Sequence, residues 1–267
     1  MVRDNDPYQC WIRRKGRLNL EPRMTLTYAS IAKRIDHSLL GPTLTDSELE
    51  AGCRLAAAYD VASVCIKPYA VPLAARVLRG TTVQVGTTIG FPHGGHRTDV
   101  KRFEAERAMD DGATDLDMVI NVGWALSGRW DDVRHDIADV VQAAHGRKAI
   151  VKVIFENCYL GPDAIARLCQ ICGEVNADYV KTSTGYGTGG ATHNDLILMR
   201  KAAPAHVKLK AAGGVRTLDE AIAVAELGCD RIGASRTAEI LDELKDRLAG
   251  RSRQPEVSRG TNEAGGY

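Results

Sequence analysis

Eight short runs rich in β-branched residues recur along the chain, most of them separated from the next by a segment long enough for a helix. They are IAKRID (31–36), VASVCIK (61–67), TVQVGTTI (82–89), TDLDMVIN (114–121), AIVKVIFE (149–156), YVKTST (179–184), VKLKA (207–211) and DRIGAS (230–235). Each has the length and residue types of a strand. The segments between them carry helix signals. Thr45 with Glu48, and Thr217 with Glu220, have the spacing of capping boxes. Pro162 follows Gly161 at a point where proline suits a first helical position. Residues 97–112 are charged, alanine-rich and end in glycine. Strands alternating with helices pair in parallel through right-handed crossovers. Eight such units predict an α/β fold, a parallel eight-stranded (β/α)8 TIM barrel. An open doubly wound sheet is the competitor, but it usually carries a glycine-rich loop after an early strand, and here the glycine-rich turns follow the late ones.

The 267 residues suit one such barrel, expected over residues 25–249. Residues 1–24 hold Arg3, Arg13, Arg14, Lys15, Arg17 and Arg23 without periodicity. They read as a disordered extension, or as sequence upstream of a start at Met24, in preference to a nucleic-acid-binding arm. Residues 250–267 are polar and rich in Gly and Ser, and read as a flexible tail. With 35 basic and 34 acidic residues the net charge is +1, which argues against nucleic acid or an anionic membrane as a general partner. No apolar run is long enough to span a bilayer, and no signal peptide is recognisable. The seven cysteines are scattered, mostly in apolar surroundings. They read as reduced thiols, so the cytoplasm is the expected compartment. Cys169 and Cys172 form a C-x-x-C within a predicted helix and read as core-facing residues, not as a redox or zinc pair.

In a barrel of this kind catalytic groups sit at the C-terminal ends of the strands. A charge inside a strand is costly unless it is paired or used. Among the charged residues in or next to these runs are Lys67 at the end of the second, Asp115 and Asp117 in the fourth, Lys152 in the fifth, Asp178 just before the sixth and Lys181 within it, and Lys208 and Lys210 in the seventh. Alternation puts Lys152 and Ile154 on one face and Val151, Val153 and Phe155 on the other. Lys152 therefore either snorkels to the surface or points into the barrel. Lysines on neighbouring strands, with a carboxylate between, suit imine chemistry. Desolvation and a nearby cation lower a lysine's pKa and free its amine to attack a carbonyl, and a carboxylate such as Asp117 can relay the protons.

A second feature lies at the ends of the last strands. Ala212-Gly213-Gly214-Val215-Arg216-Thr217 and Gly233-Ala234-Ser235-Arg236-Thr237 each lead from a strand into a helix. Such turns bring backbone N–H groups and a helix N-terminus up to an anion, and phosphate sites after strands 7 and 8 recur in this fold. His93 and His96 flank Gly94-Gly95 but lack further ligands, so no metal is expected. Cys65, near the mouth, reads as a buried structural thiol.

Over roughly residues 28–248 the sequence resembles the deoxyribose-phosphate aldolases. The resemblance lies in IDHSLL, SVCIKPYAVPLA, GFPHGG, DGATDLDMVINVG, VKVIFENCYL, DYVKTSTGYGTGGAT, KAAGGVRTLDEA and RIGAS. It implies reversible cleavage of 2-deoxy-D-ribose 5-phosphate to D-glyceraldehyde 3-phosphate and acetaldehyde through a lysine Schiff base, without cofactor or metal. It implies Lys152 as the nucleophile, Lys181 as a second lysine that tunes it, Asp117 as the acid/base group and Asp115 as its support. The phosphate would meet Gly185, Gly213, Gly214, Gly233 and Ser235. Tyr267, at the end of the tail, would be a candidate proton relay. Lys67 departs from the usual pattern and would shift Lys152 or pair with Asp36; Arg236 is another departure and would add to the phosphate site. The implied partners are small phosphosugar and aldehyde molecules, with assembly into a homo-oligomer left open.

Overall fold

A computed structural model describes residues 24–251. Tyr267 and nearly all of both flanking segments lie outside the described residues. The strands are β1 (Ile35–Leu39), β2 (Ser63–Ile66), β3 (Gln84–Ile89), β4 (Asp115–Val119), β5 (Ile150–Ile154), β6 (Tyr179–Lys181), β7 (Lys208–Ala212) and β8 (Arg231–Ala234). Each pairs in parallel with the next, and β8 closes on β1, giving the (β/α)8 barrel that the alternation predicts. The helices among the described residues are α1 (Tyr28–Ala32), α2 (Asp46–Ala58), α3 (Val71–Val77), α4 (Thr98–Asp110), α5 (Val122–Leu126), α6 (Trp130–His145), α7 (Pro162–Glu174), α8 (His193–Ala202), α9 (Leu218–Glu226) and α10 (Thr237–Leu248). None is long and apolar enough to cross a membrane.

The first strand differs from its expected position. Residues 28–32 form α1, and β1 starts at Ile35. Local chemistry decides this. Thr27 accepts from the Ser30 amide and Ser30 returns the bond to the Thr27 N–H, so a short helix is capped where the β-branched run suggested a strand. Ile31 and Ala32 are buried all the same. The shift of the strand carries Asp36 from the expected end of the run into the barrel wall.

The helix ends follow the sequence signals. Thr45 with Glu48 and Thr217 with Glu220 form reciprocal capping boxes, and Pro162 opens α7 behind Gly161. In α7 the residues Ile165, Leu168, Cys169 and Cys172 recur at three- and four-residue spacing and are buried against the barrel. Each large apolar side chain so buried contributes roughly 1.5–3 kcal/mol. Both cysteines of the C-x-x-C are thus core residues, and burial pushes the Cys169 thiol up to about 12.

Alternation sends Leu116 and Met118 of β4, and Val151 and Val153 of β5, outward under the helices, where all four are fully buried. The other face of these strands, with Asp115, Asp117 and Lys152, turns into the barrel. Register then stacks the interior: Asp117 pairs with Lys152, Ile154 with Lys181, Lys181 with Lys210, and Lys210 with Arg231.

Candidate active site

Three carboxylates and four basic groups meet inside the barrel. Asp117 is the hub. Its Oδ1 lies 3.1 Å from Lys152 Nζ, and its Oδ2 lies 2.6 Å from Lys181 Nζ and 2.7 Å from Lys210 Nζ. Asp36 Oδ2 lies 2.6 Å from Lys210 and 3.5 Å from Lys152, and Asp36 Oδ1 lies 2.6 Å from Arg231 Nη1. Asp115 contacts Lys152 and lies 3.8 Å from Arg231. Every one of these side chains except Arg231 is at least 96% buried.

Charges this deep persist only when they are paired. Burial would by itself raise Asp36, but Lys152, Lys210 and Arg231 together hold its carboxyl well below the usual range. Burial would by itself lower Lys210, but Asp117 and Asp36 outweigh it and raise its pKa, so Lys210 stays an ammonium ion. Lys152 goes the other way. Burial first, then the neighbouring Lys210 and Arg231, bring it well below the ordinary lysine value against the pull of Asp36. Lys152 set aside, the three basic groups Lys181, Lys210 and Arg231 match the three carboxylates in number.

Above this floor opens a cavity of about 430 Å³. Lys181, Lys210, Asp36 and Cys65 line its base. Lys152 is not among the lining residues: it sits under the hub, within its carboxylate cage. Register gives the reason, since Lys181 pairs with Ile154, two residues further along β5 than Lys152. Tyr186 of the β6 loop reaches across the mouth, its hydroxyl donating to the Leu40 carbonyl at 2.7 Å.

The other end of the cavity is lined by Gly185, Gly213, Gly214, Gly233, Ser235 and Arg216. Gly185, Gly213 and Gly214 have φ of +89°, +78° and +98°, a region that side-chain-bearing residues rarely enter. Among the described residues the amide N–H groups of Gly185, Gly213, Gly214 and Ser235 donate to no protein acceptor. Unpaired N–H groups around a cavity beside a cation are suited to an anion with several acceptor oxygens. All five expected phosphate contacts are thus at one place, and Arg216 joins them.

Other expected residues are elsewhere. Lys67 does not meet Asp36: its amine donates to the Leu44 carbonyl at 2.8 Å and lies 5.4 Å from the Tyr69 ring centre. Lys67 directly follows β2, where the β1–α2 loop offers it the Leu44 carbonyl and Tyr69, two residues on, offers an aromatic face. Arg236 is exposed just before α10 and does not line the cavity. Cys65 is buried 4.0 Å from Asp117 Oδ2, and burial first, then Asp117, push its thiol up to about 11. His93 and His96 are both exposed, and no group of three ligating side chains able to hold a metal occurs among the described residues.

His37, beside Asp36, bonds through Nδ1 to Thr237 Oγ1 at 2.8 Å, and burial lowers its pKa to about 4. The unfolded chain takes up that proton below about 6.5. The contribution of a neutral His37 to stability is therefore complete above pH 6.5 and is lost as the pH falls toward 4, by at most about 3 kcal/mol. Urea midpoints at pH 7.5 and pH 5 should differ more in the wild type than in His37→Gln; equal differences would contradict this.

Comparison with known proteins agrees with this geometry. The family model described as DeoC/LacD family aldolase matches residues 30–238. A deoxyribose-phosphate aldolase of Rhodopirellula baltica is 54% identical over 221 residues, covering 83% of this chain and 92% of the relative. One from Thermococcus gammatolerans is 46% identical over 214 residues, covering 79% and 95%. Among solved structures, the tetrameric deoxyribose phosphate aldolase of Aeropyrum pernix superposes with a TM-score of 0.77 at 29% identity, covering 83% of this chain and 93% of that one.

Proposed function

The chain belongs to the DeoC/LacD aldolase family, and from that premise we propose that it cleaves 2-deoxy-D-ribose 5-phosphate reversibly, with Lys181 as the amine that forms the Schiff base. The products are D-glyceraldehyde 3-phosphate and acetaldehyde. Lys152, the nucleophile implied by the sequence resemblance, gives way to Lys181 in this reading. The observation that carries it is access: Lys181 and Lys210 line the cavity, whereas Lys152 is enclosed by carboxylates beneath it.

Two ammonium groups on one carboxylate oxygen repel each other, and proton loss from one relieves the repulsion. Lys210, held charged by Asp117 and Asp36, keeps its proton. Lys181 passes its own to Asp117 and attacks the C1 aldehyde of the open-chain sugar. The carbinolamine loses water to leave an iminium ion. Loss of the proton from the C3 hydroxyl then breaks the C2–C3 bond, with the electron pair drawn into the iminium to give an enamine. Glyceraldehyde 3-phosphate leaves, C2 takes a proton, and water releases acetaldehyde and restores the amine. Asp117 is the proton carrier through these steps, with Lys210 as the fixed charge beside it. Lys152 anchors Asp117 through Oδ1 and leaves Oδ2 to the two cavity lysines. Phosphate binding by Gly185, Gly213, Gly214, Gly233, Ser235 and Arg216 at the far end holds C1 over Lys181.

Borohydride reduction in the presence of acetaldehyde, followed by peptide mapping, tests the assignment. An N-ethyl group on Lys181 is expected. Its appearance on Lys152 would restore the other lysine, and no adduct at all would remove the Schiff base. We also read the compartment as the cytoplasm, supported by the six cysteines among the described residues, all free and five of them buried. Assembly with further copies of the chain finds support in the tetramer of the Aeropyrum pernix relative.

A further inference from the structure

Glu156 is a buried carboxylate that the chemistry above does not use. It follows β5, is 3% exposed and does not line the cavity. Its backbone is left-handed, with φ 58° and ψ 62°, a conformation that a non-glycine residue holds only where its surroundings require it. Among the described residues no basic side chain pairs with it. Instead its Oε1 accepts the Thr184 amide at 3.1 Å and its Oε2 accepts the Thr184 hydroxyl. Thr184 Oγ1 in turn accepts the Tyr186 amide at 2.9 Å. Thr184 Oγ1 has one proton, which it donates to Glu156, and the oxygen's lone pairs are left for Tyr186. The residues on either side of Gly185 are thereby fixed, and Gly185 retains the unpaired N–H of the turn. Gly187 lies against the same carboxylate, where a Cβ would come within 3.0 Å of Glu156 Cδ.

We infer that Glu156 is a positioning residue for phosphate recognition: through Thr184 it sets the β6 turn so that the Gly185 N–H meets the substrate's phosphate. The inference rests on the phosphate reading of the cavity given above. It predicts an effect that a merely structural residue would not produce. Glu156→Ala loosens the turn at the phosphate end and leaves the lysines and Asp117 in place.

The test compares cleavage of 2-deoxyribose 5-phosphate with that of unphosphorylated 2-deoxyribose, and measures inhibition of the second reaction by inorganic phosphate. In Glu156→Ala, KM for the phosphorylated sugar should rise about tenfold or more with kcat changed less than about threefold. Activity on 2-deoxyribose should stay within about threefold, and inorganic phosphate should inhibit about tenfold more weakly. Glu156→Gln keeps one oxygen for the Thr184 amide and should lie between; it decides the matter if the alanine variant does not fold. Equal losses on both sugars, or a wild-type ratio and wild-type phosphate inhibition in the variants, overturn the role of Glu156. A wild-type enzyme indifferent to the phosphate group would overturn the phosphate reading itself, and this inference with it.

Discussion

Lys181→Met is expected to lower kcat/KM for 2-deoxyribose 5-phosphate by about 10⁵-fold or more. Without an amine at the base of the cavity no iminium forms, and the electron pair of the breaking C2–C3 bond has nowhere to go. The loss should fall on kcat, because the glycine loops and Arg216 at the other end of the cavity are untouched. Methionine is close to lysine in volume and suits a buried position. Asp117 keeps Lys152 and Lys210 as partners, so the floor retains its pairing. The same experiment separates the two lysines. Lys181→Met should lose the borohydride adduct, whereas Lys152→Met should keep it while turning over more slowly. Turnover by Lys181→Met above about one-hundredth of wild type would overturn the assignment.

The difficulty in telling these lysines apart from sequence is geometric. Period-two alternation says which side chains enter the barrel, but not how high they stand in it. Height depends on the stagger between strands, which places Lys181 opposite Ile154 and leaves Lys152 one inward-facing position lower. The sequence motif around Lys152 was as suggestive as that around Lys181, and only the cavity distinguishes them. Lys210 was visible as a charge in a strand, but it shares a face with Lys208, which lies at the exposed start of β7. Two lysines on one face, one solvated and one caged, look alike until burial is known. Asp36 and Arg231 stood at the edges of their runs, where charges are ordinary, and the short helix α1 hid the true start of β1. The other seven strands were legible because their alternation is bounded by turn residues, and the glycine loops because they follow late strands.

Asp117→Asn should reduce kcat by about 10³-fold, within the range for loss of a general acid/base. The amide retains the shape of the carboxylate but exchanges no proton, so carbinolamine dehydration and enamine protonation both slow. Its placement can be anticipated from the charges around it. The amide oxygen should face Lys181 and Lys210, which donate to Oδ2 in the wild type, and the NH₂ should turn to Lys152. Burial and the nearby cations already favour a neutral Lys152, whose lone pair can accept that N–H. The variant therefore folds, although loss of one of three carboxylates among buried cations should cost about 3 kcal/mol in urea unfolding. Stability and chemistry can be read apart by measuring the rate of acetaldehyde imine formation in a single turnover, under conditions where the variant is fully folded. Imine formation at the wild-type rate would leave Asp117 as an electrostatic brace and assign the proton transfers to another group in the cavity.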